Sequence, residues 1–248
     1  MYLKRTRLGK DIVAEFQEPV KKSRKVVIFL DGMPTMPGKK KKMLQFFAKK
    51  GYWAFNPRYR GTWESGGDFL SKEPTQDVFD CIEALQKKFT SIWTKQEYKI
   101  VNPEFYLIGC SFGGPAAVLA SKHKKVKKVI SVAGVVDWTS ESKEESLDFL
   151  ETVTKASFGE GYRFDSKNFK KLKQGKFYNP IDQLKNIDAK KILLIHAADD
   201  DIVLVKPVLS FAKKIGAQTF IKNKGGHLST SMMISWYNWR KIKKFLQN

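Results

Sequence analysis

From residue 25 onward, short apolar runs alternate with amphipathic stretches, and this alternation narrows the fold more than any other feature of the chain. Lys25–Leu30 (KVVIFL) is apolar and stops at Asp31-Gly32, as a buried strand does on meeting a turn. Residues 39–50 place Met43, Leu44, Phe46, Phe47 and Ala48 among lysines, the pattern of an amphipathic helix. The sequence then predicts strands at 52–56, 104–110, 126–136, 192–196 and 218–222, and an early one at 11–18. Helices are predicted at 76–88, 113–123, 207–215 and 228–246. Strands that alternate with helices pair in parallel and bury both faces. The expected fold is therefore α/β, with a mostly parallel sheet between two helical layers. A chain of 248 residues is long enough for one such domain, spanning 1–248.

One stretch breaks the alternation. Between the strands at 126–136 and 192–196 lie roughly fifty residues, too many for a structureless loop. Residues 142–157 carry Leu147, Leu150 and Val153 on one helical face, and 168–172 suggests a second helix. Residues 139–189 are therefore expected to form a helical insertion, a possible cap over the carboxyl edge of the sheet.

Composition excludes several classes. A 42% hydrophobic share rules out intrinsic disorder. Two cysteines, Cys81 and Cys110, cannot make a disulfide framework or a Cys-rich zinc site. No apolar stretch follows the basic residues 1–10, and none is long enough to span a bilayer. A soluble, cytoplasmic protein with reduced thiols is expected.

The sharpest motif is Gly109-Cys110-Ser111-Phe112-Gly113, set between the run ending at Ile108 and a helix opening at Pro115. Strand, tight turn and helix are what a nucleophile elbow needs, with glycines keeping Cβ atoms out of the bend. A serine hydroxyl needs a base, and the base an orienting acid, in the chain order Ser, acid, His. Three histidines exist: His123, His196 and His227. His123 follows the elbow too closely, and His196 precedes the acid candidates. Only His227, in Lys224-Gly225-Gly226-His227, comes late enough. The acid belongs at the end of the preceding parallel strand, where Asp199-Asp200-Asp201 stand. Asp200 is favoured, with Asp199 and Asp201 as alternatives and Asp137 as a more distant one. Backbone N–H groups of Phe112 and Met33 are the expected oxyanion donors, since Pro34 has none.

These residues resemble the α/β-hydrolase superfamily of serine hydrolases, nearest its esterase and its prolyl-oligopeptidase-like or serine-aminopeptidase-like branches. The resemblance runs from about residue 11 to 246. It rests on the elbow and the Ser, Asp, His order, with weaker support from Asn56-Pro57-Arg58-Tyr59-Arg60-Gly61 and Asn179-Pro180-Ile181-Asp182. It implies acyl transfer to Ser111 and then to water, without metal or organic cofactor. The expected substrate is a carboxylic ester of small or medium acyl chain; the alternative is an acylated or short peptide. Arg58, Tyr59 and Trp138 are candidate substrate contacts, although Arg58 equally suits a buried tie between loops. Phe149, Phe158 and Tyr162 either line an acyl pocket or form the insertion's own core. Two residues depart from the resembled pattern: Asp31 stands where many relatives carry His, and Trp63 where Gly is common. No N-terminal propeller is expected from the sequence, and so no size-gating of substrates.

The charge of +21 lies outside the insertion, where residues 139–189 balance nine basic against nine acidic side chains. No acidic residue follows Asp201. Lys outnumbers Arg 39 to 7, which speaks against specific nucleic-acid reading through Arg forks. Residues 39–50 and 240–244 are expected to share a basic face, solvated or in weak contact with an anionic surface. A non-catalytic, polyanion-binding protein is the remaining alternative.

Overall fold

The computed structural model describes residues 2–140 and 145–247. Ten strands and seven α-helices follow one another as β1 (Lys4–Leu8), β2 (Ile12–Gln17), β3 (Lys25–Leu30), α1 (Lys41–Lys49), β4 (Trp53–Pro57), α2 (Pro74–Ala84), β5 (Phe89–Thr90), β6 (Glu97–Tyr98), β7 (Glu104–Cys110), α3 (Gly113–Leu119), β8 (Val126–Val132), α4 (Leu147–Phe158), α5 (Ser166–Lys173), β9 (Ile192–Ala197), α6 (Val205–Ile215), β10 (Gln218–Lys222) and α7 (Trp236–Gln247). Eight strands form one sheet in the order β1-β2-β4-β3-β7-β8-β9-β10. β1 and β2 pair antiparallel at one edge, and β2 lies antiparallel to β4. Every pairing from β4 to β10 is parallel. The central strands are near-continuous apolar runs because both faces are covered.

Two apolar layers sandwich the sheet. On one side, Met43, Leu44 and Phe47 of α1 pack with Ile242, Phe245 and Leu246 of α7 against Val27, Phe29 and Ile108. On the other, residues of α2, α3, α6 and the insertion pack with Val26, Ile28 and Leu107. Alternation along each strand sends successive side chains to opposite layers. The first and last helices thus share a face, as expected.

Several boundaries differ from the sequence expectation. The β1 strand and the β5–β6 hairpin are not expected from the sequence; their runs are short, and the hairpin is held by Phe89 and Tyr98, which stack on each other and bury against Phe16. The predicted 228–246 helix divides into a 3-10 turn at Thr230–Ile234 and α7, with Ser235 extended between them (ψ 141°). The expected helix at 142–157 is seen as α4, whose cap is Ser146; its predicted start at Ser142 lies outside the described residues. No described helix is long and apolar enough to cross a membrane.

Candidate active site

Parallel strands deliver their carboxyl ends to one edge, and the candidate residues collect there. β7 runs straight into the elbow, where Ser111 adopts φ 49°. A non-glycine residue in that region costs of order 1–3 kcal/mol and persists only where its surroundings impose it. The surroundings here are backbone. A Cβ on Gly109 would stand 2.1 Å from Gly113 O, and one on Gly113 would stand 2.2 Å from Leu30 O. The bend can be this tight only with glycine at both positions.

Tyr178 braces the elbow from the insertion. Its fully buried hydroxyl donates to Phe112 O at 2.6 Å and accepts from Ala116 N at 3.1 Å. Burial first, then nearby acidic groups, hold the phenol well above its ordinary pKa, so it stays a donor. Cys110, beside the nucleophile, is buried, and its thiol is pushed up to about 11, chiefly by desolvation. It is a structural thiol, not a reactive thiolate.

His227 sits on the loop after β10, and Asp200 on the turn after β9. His227 Nδ1 lies 3.0 Å from Asp200 Oδ2 and 3.1 Å from Oδ1. Asp200 is 4% exposed. Burial alone would raise its carboxyl. Bonds from His196, His227 and the Val203 N–H overcome that and leave it well below the usual carboxylate range. The two neighbouring carboxylates do different work. Asp199 is exposed and accepts from Gly225 N and Gly226 N, fastening the loop that carries His227; Asp201 is exposed. Among the described residues, Ser111 Oγ makes no hydrogen bond with His227, although such contacts often tighten only with substrate bound.

The loop after β3 lies against the nucleophile: a Cβ on Gly32 would come within 3.2 Å of Ser111 Cβ. Met33 and Phe112 flank Ser111 in the same cleft. Neither of their N–H groups donates within the described protein. Asp31 is held from three sides. Lys40 Nζ pairs with Oδ1 at 2.9 Å, Asn56 Nδ2 donates to Oδ2 at 3.0 Å, and the Tyr59 hydroxyl donates to Asp31 O at 3.0 Å. Lys40 also donates to Thr230 Oγ1, joining this loop to the segment that follows His227. Trp63, the second departure, donates from its indole to Thr35 O, while Thr35 N donates to the Tyr162 hydroxyl. An ion pair and two aromatic clamps thus do the holding in this loop.

The cleft is open at its mouth. Val136, Trp138, Leu147, Leu150, Ile202 and Val208 supply apolar wall, with Asp137 and Glu145 among the polar groups. Burial raises the Glu145 carboxyl, opposed by the charge of His227. Trp138 therefore lines the cleft. Arg58 and Tyr59 do not. Arg58 is buried between Glu15 and Glu64, and Tyr59 is buried beneath the loop at Asp31. Phe158 and Tyr162 meet edge to face, and so do Phe158 with Trp63 and Tyr162 with Phe69, as part of the insertion's packing; Phe149 is exposed. Sequence reasoning missed Tyr178, which lies in no motif, and weighed His196 only as a base. Among the described residues, no group of three or more His, Cys, Asp and Glu is arranged to hold a metal ion.

The sequence pattern of the prolyl oligopeptidase family matches residues 39–246. No curated protein matches the chain. Among solved structures it resembles the acylaminoacyl peptidase of Pyrococcus horikoshii (TM-score 0.63, 21% identity), covering 99% of this chain and 40% of that one. It also resembles an esterase of Pyrococcus furiosus (TM-score 0.69, 16% identity), covering 99% of this chain and 90% of that one. Est1E of Butyrivibrio proteoclasticus aligns over 99% of both chains at 12% identity and TM-score 0.65. The chain thus spans well under half the length of the peptidase and nearly all of the two shorter proteins. At such identities the likeness shows the fold alone: it is the α/β-hydrolase fold.

Proposed function

Because the chain belongs to the prolyl oligopeptidase family and is a serine hydrolase, we propose that it cleaves carboxylic esters of small or medium acyl groups through Ser111, His227 and Asp200. The observation that carries this reading is the largely apolar cleft that Ser111, Met33 and Phe112 line together.

The His227 Nδ1–H donates to Asp200, which leaves the Nε2 lone pair free to take the Ser111 proton. Ser111 Oγ attacks the ester carbonyl, and the Met33 and Phe112 N–H groups receive the developing oxyanion. Each such donor is worth about 10²–10³ in kcat. The His227 imidazolium returns the proton to the leaving alcohol, and an acyl-Ser111 ester remains. Water then repeats the sequence with His227 as base, releasing the acid and restoring Ser111.

A second reading has its own support. Asp137 and Glu145 on the cleft wall offer counter-charge to the ammonium of a short peptide. Nitrophenyl esters of rising chain length, assayed beside aminoacyl-nitroanilides, separate the two. Faster turnover of short or medium esters is expected. A kcat/KM for anilides above that for every ester would replace the esterase reading with the peptidase one. Ser111→Ala is expected to abolish both, and undiminished activity would remove Ser111 as nucleophile.

A further inference from the structure

His196 is a fully buried histidine that the mechanism above leaves unused. It stands at the carboxyl end of β9, four residues before Asp200. Its Nε2 lies 2.7 Å from Val203 O and 3.2 Å from Asp200 Oδ2. Its Nδ1 is buried and meets no hydrogen-bonding group among the described residues.

These contacts assign the tautomer. A proton on Nδ1 would have no acceptor and would turn the Nε2 lone pair toward a carbonyl and a carboxylate. The proton therefore sits on Nε2, where Val203 O and Asp200 share it. The effect on Asp200 follows from its other bonds. Oδ1 accepts from Ile202 N at 3.1 Å and Val203 N at 3.0 Å, so the turn itself fixes that oxygen. Among the described residues, Oδ2 meets the two imidazoles alone. His227 must change protonation state and shift during turnover, so it cannot also anchor the carboxylate. His196 is the fixed donor on that side, and its bond to Val203 O closes the turn that supplies the Oδ1 donors.

We infer that His196 is a positioning residue: as an Nε2–H donor to Val203 O and Asp200 Oδ2, it fixes the plane of the Asp200 carboxylate against His227. This rests on the reading of Ser111, His227 and Asp200 as the reacting set. A buried strand-end histidine chosen only for packing would not need its one proton aimed at the acid.

The test compares His196→Leu, which removes the donor, with His196→Gln, whose amide can still reach Oδ2. Both are measured on the ester substrates and in the Asp200→Asn background. In folded His196→Leu, kcat is expected to fall about tenfold or more while KM moves less than about twofold, and His196→Gln recovers most of the loss. With Asn at 200, the same His196→Leu change should alter kcat less than about twofold, since it acts through Asp200. The imidazole ¹⁵N spectrum of the unmutated protein should show a protonated Nε2 and a bare Nδ1 at His196, with the Nε2–H signal moving in Asp200→Asn. A folded His196→Leu of near-native kcat would overturn the inference. So would an equal loss in the Asp200→Asn background. Where His196→Leu does not fold, the spectrum decides: a proton on Nδ1, or an Nε2–H signal that ignores Asp200→Asn, refutes it. Activity surviving in Ser111→Ala is a separate outcome and would remove the mechanism itself.

Discussion

Tyr178→Phe isolates the link between insertion and elbow, because it deletes one oxygen and little volume. That oxygen is fully buried and serves two backbone groups, Phe112 O at 2.6 Å and Ala116 N at 3.1 Å. No water can replace it without opening the packing of Phe112, Trp138 and Tyr178, whose ring centroids lie 5.2 to 6.2 Å apart. Each buried group left unpaired costs about 1–3 kcal/mol, so the variant should lose about 2–4 kcal/mol after local relaxation. For a domain of this size that is a fall in Tm of roughly 5–15 °C. The catalytic effect is separable from stability. In the proposed mechanism Phe112 supplies an oxyanion N–H, and Tyr178 holds the carbonyl of the same residue. Freeing that carbonyl should lower kcat about tenfold, short of the 10²–10³ that loss of a whole donor costs. Calorimetry and ester turnover well below Tm measure the two effects. A Tm within about 2 °C of the unmutated protein, with kcat within about twofold, would show that the elbow holds itself and that the brace is incidental.

Two further outcomes follow from the site. Gly113→Ala would set its Cβ 2.2 Å from Leu30 O, backbone against backbone, so the elbow and the β3 end must separate; a loss of at least about 3 kcal/mol together with most activity is expected, and a soluble, near-native enzyme by urea unfolding would contradict it. Asp200 has a depressed carboxyl pKa in the folded protein, so its contribution to stability is complete above its unfolded value near about 3.9 and is lost as pH falls below that. Unfolding free energy measured from about pH 6 to 3 should therefore fall less steeply in Asp200→Asn, and equal slopes would refute the assignment.

The sheet was legible because a parallel strand buried on both faces must be apolar over its whole length, and Lys25–Leu30 or Ile192–Ala197 can be little else. Ser111, Asp200 and His227 were legible through order and spacing along the chain. Arg58 shows where such reading stops. An arginine in a loop near the site looks the same in sequence whether it faces substrate or Glu15, and only burial separates the two cases. Tyr178 and His196 were not legible for a related reason. Tyr178 acts through two hydrogen bonds to a segment far back in the chain, and His196 through contacts inside its own turn; a polar atom aimed at such partners leaves no periodicity behind. Asp31 and Trp63 read as departures because the resemblance supplied the expectation. The compensating partners, Lys40, Asn56 and Tyr162, lie on three other segments.

The insertion is attached to the site unevenly, and the hydrogen bonds show how. Tyr162, Arg163, Tyr178 and Asn179 bond to Thr35, Ser65, Phe112 and Trp138, so the later part of the insertion is built into the oxyanion loop and the elbow. α4 differs. Among the described residues its side chains hydrogen-bond only within the insertion, through Ser146, Ser166 and Lys173. Yet Leu147 and Leu150, on α4, line the cleft. On the proposed reading, the loop and elbow that would carry the oxyanion donors are thus held by hydrogen bonds, whereas the α4 wall of the cleft is held mainly by apolar packing. Apolar packing is non-directional and tolerates changes of side-chain volume better than a hydrogen-bond network tolerates loss of a partner. Changes at Leu147 or Leu150 should therefore alter which acyl chains fit while leaving the chemistry at Ser111 intact, whereas changes at Tyr162 or Tyr178 should lower turnover for every acyl chain alike.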